Sequence, residues 1–186
     1  PWADDNAMTL EEHIPLLGTI LDEWRGTIGA QCEPYKNHVY RVVNFCFALH
    51  ECTEDDREKL IIAGCFHDLG IWPDDTVDYL APSIELVKKY LKEDGKEEWS
   101  TEIELMIDLH HKLTRVKHGE YPLVEVFRRG DWVDVSLGMR SFGLPRKYVR
   151  SVRQQFPNLG FHRNLIRLTK EEFMRHPLNP LPMMKW

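Results

Sequence analysis

The segment Leu60-Ile61-Ile62-Ala63-Gly64-Cys65-Phe66-His67-Asp68-Leu69-Gly70-Ile71 carries two polar side chains, His67 and Asp68, among ten residues that are apolar or glycine. A carboxylate taken into such surroundings is costly unless a cation, strong hydrogen bonds at a helix end or a metal compensates it. All three remain open for His67-Asp68 alone. Three further stretches repeat the pattern: His38 within Tyr35–Val43, His110-His111 within Met106–Leu113, and Asp131 within Val124–Val135. Four separate segments of helical periodicity thus each offer an imidazole or carboxylate from an inward position. Two imidazoles and two carboxylates form a donor set suited to one divalent Mn, Fe, Co, Ni or Zn ion. No short motif encodes a site collected from several helices, so convergence rather than spacing carries this reading.

The elements that must position these residues read as helices throughout. Thr9 to Glu12 is a capping-box pattern ahead of Ile14, Leu17, Ile20, Leu21 and Trp24 at helical spacing. A second stripe follows Pro34 and runs to about residue 50. Thr53 predicts the start of the helix that carries Leu60 to Phe66 and ends near Gly70, with Asp55, Asp56 and Glu58 where the dipole favours acids. Residues 72–82 read as a loop, followed by a helix from about Ser83 to Lys92 and one capped by Ser100. Pro122 predicts a further helix to Gly138, and a basic one spans about Lys147 to Phe156. Thr169 to Glu172 is a second capping box opening a short last helix, and the Pro-rich end from His176 to Trp186 reads as a strap. The expected fold is all-α, with an unstructured N-terminus or cloning scar over 1–8, a helical core over 9–139 and a basic appendage over 140–186 packing on that core.

The 186 residues are 42% hydrophobic and 29% charged, a globular balance that excludes disorder and fibrous repeats as the main organisation. No uninterrupted apolar run is long enough to span a membrane. The net charge of −6 is unevenly placed: residues 1–139 hold 14 Lys/Arg against 28 Asp/Glu, net −14, and residues 140–186 hold 10 against 2, net +8. Such a tail could dock on the acidic body, attract an anionic substrate or bind nucleic acid. Cys32, Cys46, Cys52 and Cys65 form no Cys-x-x-Cys pair, and the first residues lack a basic leader, so a cytoplasmic protein with reduced thiols is expected.

The order His38, His67-Asp68, His110-His111, Asp131 resembles the HD-domain superfamily of metal-dependent phosphohydrolases. His38-Val39-Tyr40-Arg41-Val42, the apolar run into His67-Asp68-Leu69-Gly70, and Gly130-Asp131-Trp132 carry the likeness, over roughly residues 35–137. The resemblance implies an all-α HD-domain bundle and a metal held by His38, His67, Asp68 and Asp131, with open positions for a water and a substrate. It implies hydrolysis by a metal-activated hydroxide, the bound water's pKa falling to about 7. In that reading His111 and Asp134 are candidate catalytic residues, and Arg41, His110, Lys112 and Arg115 are candidate contacts to a small anionic substrate. Asp134, three residues past Asp131, shares its helix face.

Two departures matter. Two-metal members resemble one another in a histidine just before a proline, a dozen or so residues after the His-Asp pair. The matching place here is Ala81-Pro82-Ser83, and no histidine lies between residues 68 and 109. One metal is therefore favoured, with His110-His111 keeping a second ion open. Ile71 stands where many family phosphohydrolases place Lys or Glu, which resembles branches that hydrate or cleave non-phosphate molecules, such as cyanamide hydratases. The leading expectation is a hydrolase of a small phosphorylated compound, perhaps a nucleotide. The alternatives are an HD-type hydratase, lyase or oxygenase, and a regulatory or nucleic-acid-associated module whose core is structural. A membrane is not expected as a partner, nucleic acid is disfavoured, and a homodimer is left open.

Overall fold

Thr53 starts the helix that leads into the central motif. Its side chain accepts from Asp56 N while Asp56 accepts from Thr53 N, a reciprocal cap that satisfies two otherwise orphaned donors. The structure, a computed structural model, describes residues 8–74 and 79–175. Their regular elements are α1 (Pro15–Glu23), α2 (Arg25–Ile28), α3 (Cys32–Leu49), α4 (Glu54–Phe66), α5 (Ile71–Asp74), α6 (Leu80–Glu93), α7 (Ser100–Leu109), α8 (Leu123–Val135), α9 (Arg146–Gln155) and α10 (Phe161–Arg175), with short 3-10 turns before α3 and α7. The fold is all-α, with no strand among the described residues. None of their helices is long and apolar enough to cross a membrane.

Helix α3 lies at the centre, packed between α8, α4 and α9. It buries Val39, Val42, Val43 and Cys46, and with them His38, Arg41 and Asn44. The second half of α4, Leu60 to Phe66, is buried on every side, which is why it reads as a continuous apolar run rather than a stripe. Residues 144–161 complete the core, burying Leu144, Tyr148, Val149, Val152, Phe156 and Phe161. The Tyr148 hydroxyl donates to the Asn44 carbonyl at 3.0 Å and Asn37 donates to the Pro157 carbonyl at 2.9 Å.

Several boundaries differ from expectation for identifiable reasons. The Thr9–Glu12 box starts no helix. Glu11 N donates to Asn44 Oδ1 at 2.8 Å and Ile14 N to the Tyr40 hydroxyl at 3.2 Å, so α3 takes these donors and α1 starts at Pro15. Helix α4 ends at Phe66, and His67 to Gly70 form a tight turn. Helix α6 begins at Leu80, three residues before the expected Ser83. Thr169 lies inside α10, whose start is set by Asn158: its side chain accepts from His162 N at 3.2 Å and its carbonyl from Phe161 N at 3.0 Å. The expected strap over 176–186, and residues 1–7 of the expected N-terminal segment, lie outside the described residues.

The α3–α8 crossing depends on Gly130. A Cβ there would collide with Cys46 Sγ and come within 3.0 Å of the Val42 carbonyl oxygen. Gly130→Ala would gain about 1 kcal/mol of helix propensity. The clash involves backbone, however, and overpacking costs about 1–3 kcal/mol. A thermal melt is expected to show a net loss of several degrees, partly restored by adding Cys46→Ala.

Candidate metal centre

Four elements deliver the expected side chains to one buried place. His38 comes from α3, His67 and Asp68 from the turn after α4, His110 and His111 from the end of α7, and Asp131 and Asp134 from α8. The His67–Gly70 turn is held by Gly70 N donating to Ser83 Oγ at 2.9 Å. A side chain at Gly70 would run into the Tyr79 carbonyl oxygen and Ser83 N, so glycine allows α6 to close over the motif.

The hydrogen bonds on the outer side of each ring determine what the inner side can do. His38 Nδ1 donates to Asp134 Oδ2 at 2.7 Å, His67 Nδ1 to the Gly64 carbonyl at 2.7 Å, and His110 Nδ1 to the Ile107 carbonyl at 2.6 Å. These partners only accept, so each Nδ1 carries a proton and each ring turns its Nε2 inward, the nitrogen left to bind a metal. His38 Nε2 and His67 Nε2 lie 3.0 Å apart. Around them stand Asp68 Oδ2, 3.3 Å from His67 Nε2 and 3.7 Å from His38 Nε2, and Asp131 Oδ1, 3.8 and 3.6 Å from the same atoms. His110 Nε2 is 3.5 Å from Asp68 Oδ1. His110 Nε2, Asp68 Oδ1 and Asp131 Oδ2 are buried without a hydrogen-bond partner.

Imidazole nitrogens and carboxylate oxygens gathered this closely, three of the atoms buried without a hydrogen-bond partner, form a donor set that a cation would satisfy. Ligands about 2.1 Å from a divalent ion stand about 3.0–3.4 Å from each other; the His38–His67 and His67–Asp68 separations of 3.0 and 3.3 Å match that spacing, those of 3.6–3.8 Å to Asp131 and from His38 to Asp68 are wider, and both nitrogen and carboxylate donors suit a transition metal. His38, His67 and Asp68 form one tight cluster, with the expected fourth ligand Asp131 beside it rather than in it, and Asp68, His110 and His111 form a second that shares Asp68.

The charges are strongly coupled. Burial pushes the His38 imidazole down to about 4, against the pull of Asp134, so the ring is neutral at pH 7. Burial alone would raise Asp68, but the neighbouring His67 and His110 rings hold its carboxyl well below the usual range. Asp131 has weaker compensation, and burial with the nearby Asp68 and Asp134 charges lifts it to about 8 in the absence of a cation. Asp134 stays ionised, because the His38 hydrogen bond and Arg41 outweigh its burial.

Asp134 and Arg41 stand behind the donor set rather than among it. Arg41 Nε and Nη2 reach Asp134 Oδ1 and Oδ2 at 2.5 and 2.8 Å, and Nη1 donates to the Phe156 carbonyl at 2.9 Å. All three nitrogens of the proposed substrate contact are thus engaged inside the fold. Asp134 orients a metal-facing ring, His38. His111 is half-buried, and its Nε2 is hydrogen-bonded to the Tyr79 hydroxyl at 2.5 Å. Burial, and then His110, push the His111 imidazole well down. The Lys112 carbonyl accepts from Arg128 and Trp132. Arg115 is exposed in a surface depression with Lys117, His118 and Arg129, which none of the donor residues lines.

Sequence reasoning missed three residues here. Phe161 stacks on the His38 ring with centroids 4.3 Å apart, and His162 Nε2 donates to the Asp134 carbonyl at 3.1 Å. No local pattern marks either one. Tyr79 was missed too; Tyr35, whose ring lies near those of His38 and His67, was legible three residues before His38 on one helix face.

Asp134→Asn is expected to weaken metal affinity about 10- to 100-fold, because it removes the charge that fixes the His38 tautomer; metal retained after dialysis against a weak chelator measures it. In metal-free protein, His38 is neutral when folded down to about pH 4 but titrates near 6.5 when unfolded. Its contribution is therefore present above about pH 6.5 and is lost as the pH falls from there to about 4, a loss of about 3 kcal/mol. Urea midpoints across that range check this, and His38→Gln should flatten the slope.

Neither a curated protein nor a solved structure matches the chain. The family model for the HD domain matches residues 35–141, more than half of the sequence. That span opens with the helix of His38 and closes beyond Asp134, so it holds every donor just described. The chain belongs to the HD-domain family, a superfamily of metal-dependent hydrolases.

Proposed function

We propose that this protein is a metal-dependent hydrolase of a small phosphorylated compound. The observation that carries the reading is the pair of inward-facing imidazole nitrogens 3.0 Å apart, flanked by the Asp68 and Asp131 carboxylates. His38, His67, Asp68 and Asp131 would hold one Mn, Fe, Co, Ni or Zn ion. When bound, that ion supplies Lewis acidity, lowering the pKa of a coordinated water and polarising a phosphoryl oxygen.

The chain's own residues do the rest. Asp134, braced by Arg41, keeps His38 in the tautomer that faces inward. Asp131 Oδ2, buried and unpartnered, is the atom placed to take a proton from the attacking water. His111 stays neutral because burial lowers its pKa, so it carries one donor and one acceptor nitrogen, with Tyr79 fixing its ring. Lys112 and His110 are the remaining candidates for holding the anionic substrate. Four free thiols, three of them buried, suit the reducing cytoplasm.

A second reading is favoured by one observation. Ile71 is buried at 7% exposure and Arg41 is engaged elsewhere, so two positions that could have contacted phosphate do not. Hydration of a small neutral molecule at the same centre follows from that shortage of cations.

Metal analysis of the purified protein should find about one ion per chain. Chelation should abolish phosphatase activity in a screen of nucleotides and sugar phosphates, and added Mn, Co or Ni should restore it. His67→Ala is expected to lower kcat/KM about 1,000-fold or more. Phosphatase activity that survives chelation or His67→Ala would refute the metal mechanism. Turnover of cyanamide or nitriles, with none of phosphate esters, would select the second reading.

A further inference from the structure

The stretch from 135 to 170 holds eight Lys/Arg and no Asp or Glu, in a chain whose first 139 residues are net −14. Its packing on α3 is apolar, through Tyr148, Val152 and Phe156. Among the described residues, Arg146, Lys147, Arg150 and Arg153 form no ion pair. No described acidic side chain pairs with these four, and three of them, Arg146, Arg150 and Arg153, line one groove.

We propose that this groove, between α9 and the α8–α9 connection, binds a phosphate-bearing small molecule at a site separate from the metal centre. The groove encloses about 630 Å³ and has no acidic side chain in its lining, a volume within the range of small-molecule sites. One wall is cationic. Arg146, Arg150 and Arg153 recur at i, i+4 and i+7, so they line a single face of α9. At 1.5 Å per residue they span about 10 Å along the axis, which suits a linear chain of two or three phosphoryl groups better than one carboxylate. Guanidinium forks match phosphate oxygens two at a time.

Arg153 adds a second, independent observation. Its Nη1 is buried and has no hydrogen-bond partner, and a buried cationic donor without an acceptor is destabilising. An anion seated in the groove would supply the missing acceptor.

The opposite wall is apolar and strained. Leu137 is half exposed and Met139 is 85% exposed. Leu137 holds φ at 57° and Gly138 at 84°. A left-handed backbone at a leucine costs about 1–2 kcal/mol, where a glycine would cost nothing. At Gly138 the two walls meet, since a Cβ there would lie 2.9 Å from Val149 Cγ1. That close approach forms the floor of the groove and leaves Leu137 and Met139 facing a ligand's non-ionic part. The ligand class that satisfies both walls is a small oligophosphate with an apolar or planar group attached.

The test is calorimetric titration of the full metal-loaded chain with tripolyphosphate and with adenosine triphosphate, at about 50 and 200 mM salt, with metal content measured before and after. Arg146 and Arg150 are exposed, so Arg146→Ala/Arg150→Ala removes charge without touching the core, and a thermal melt verifies the fold. Saturable binding of one anion per chain is expected, at least tenfold weaker in the double variant, with metal content unchanged. Absence of saturable binding overturns the proposal, as does equal affinity in the double variant, which would place the anion elsewhere. Single-stranded oligonucleotides or anionic vesicles are the competing probes. If either binds through these arginines while tripolyphosphate does not, the small-molecule site is refuted in favour of that polyanion. The double variant leaves the metal donors intact, so this outcome is independent of whether the centre hydrolyses phosphate.

Discussion

Two inward-facing imidazole nitrogens, held 3.0 Å apart in a buried interior, are the constraint around which this molecule is arranged. With the Asp68 and Asp131 carboxylates beside them they form a donor set suited to a positive charge, and the surrounding structure prevents either ring from turning away. His67 is tied by its other nitrogen to the last turn of its own helix. His38 is tied to Asp134, Asp134 to Arg41, and Arg41 to the Phe156 carbonyl. Buried polar chains of this kind are costly if any link is missing, because each orphaned group then bears its full desolvation penalty.

That chain explains why residues after the HD core belong to the same structural unit. Phe156 and Phe161 reach α3 from the C-terminal side, one receiving Arg41 on its carbonyl and the other covering the His38 ring. Both contacts exclude water from the back of the donor set. A low local dielectric strengthens the Arg41–Asp134 pair and, through it, the orientation of His38. The apolar docking of α9 has a second consequence: its arginines are turned outward, where the core cannot neutralise them.

The two carboxylates at the centre have opposite tendencies for one physical reason. Asp68 sits between two imidazoles and stays ionised, while Asp131 faces fewer compensating groups and two like charges. A cation added among them lowers the cost of ionising both. The site is thus electrostatically incomplete in a way that a divalent ion completes, and this incompleteness distinguishes it from a buried pair that merely closes a helix end.

The sequence by itself determined the helices, the order of the donors and their burial. Apolar surroundings are a local property, so His67 and Asp68 stood out among ten apolar or glycine neighbours, and Thr53 announced the helix that delivers them. The tertiary structure alone decided which groups face the ion and which stand behind it. Asp131 and Asp134 share one helix face, yet one points into the centre and the other backs His38, because Arg41 lies 93 residues earlier in the chain and takes hold of Asp134. The 115-residue link from Arg41 to Phe156, the His162 contact to Asp134 and the failed start at Thr9 were equally illegible. Each depends on a hydrogen bond between distant segments, and such bonds leave no periodicity or spacing in the sequence that encodes them.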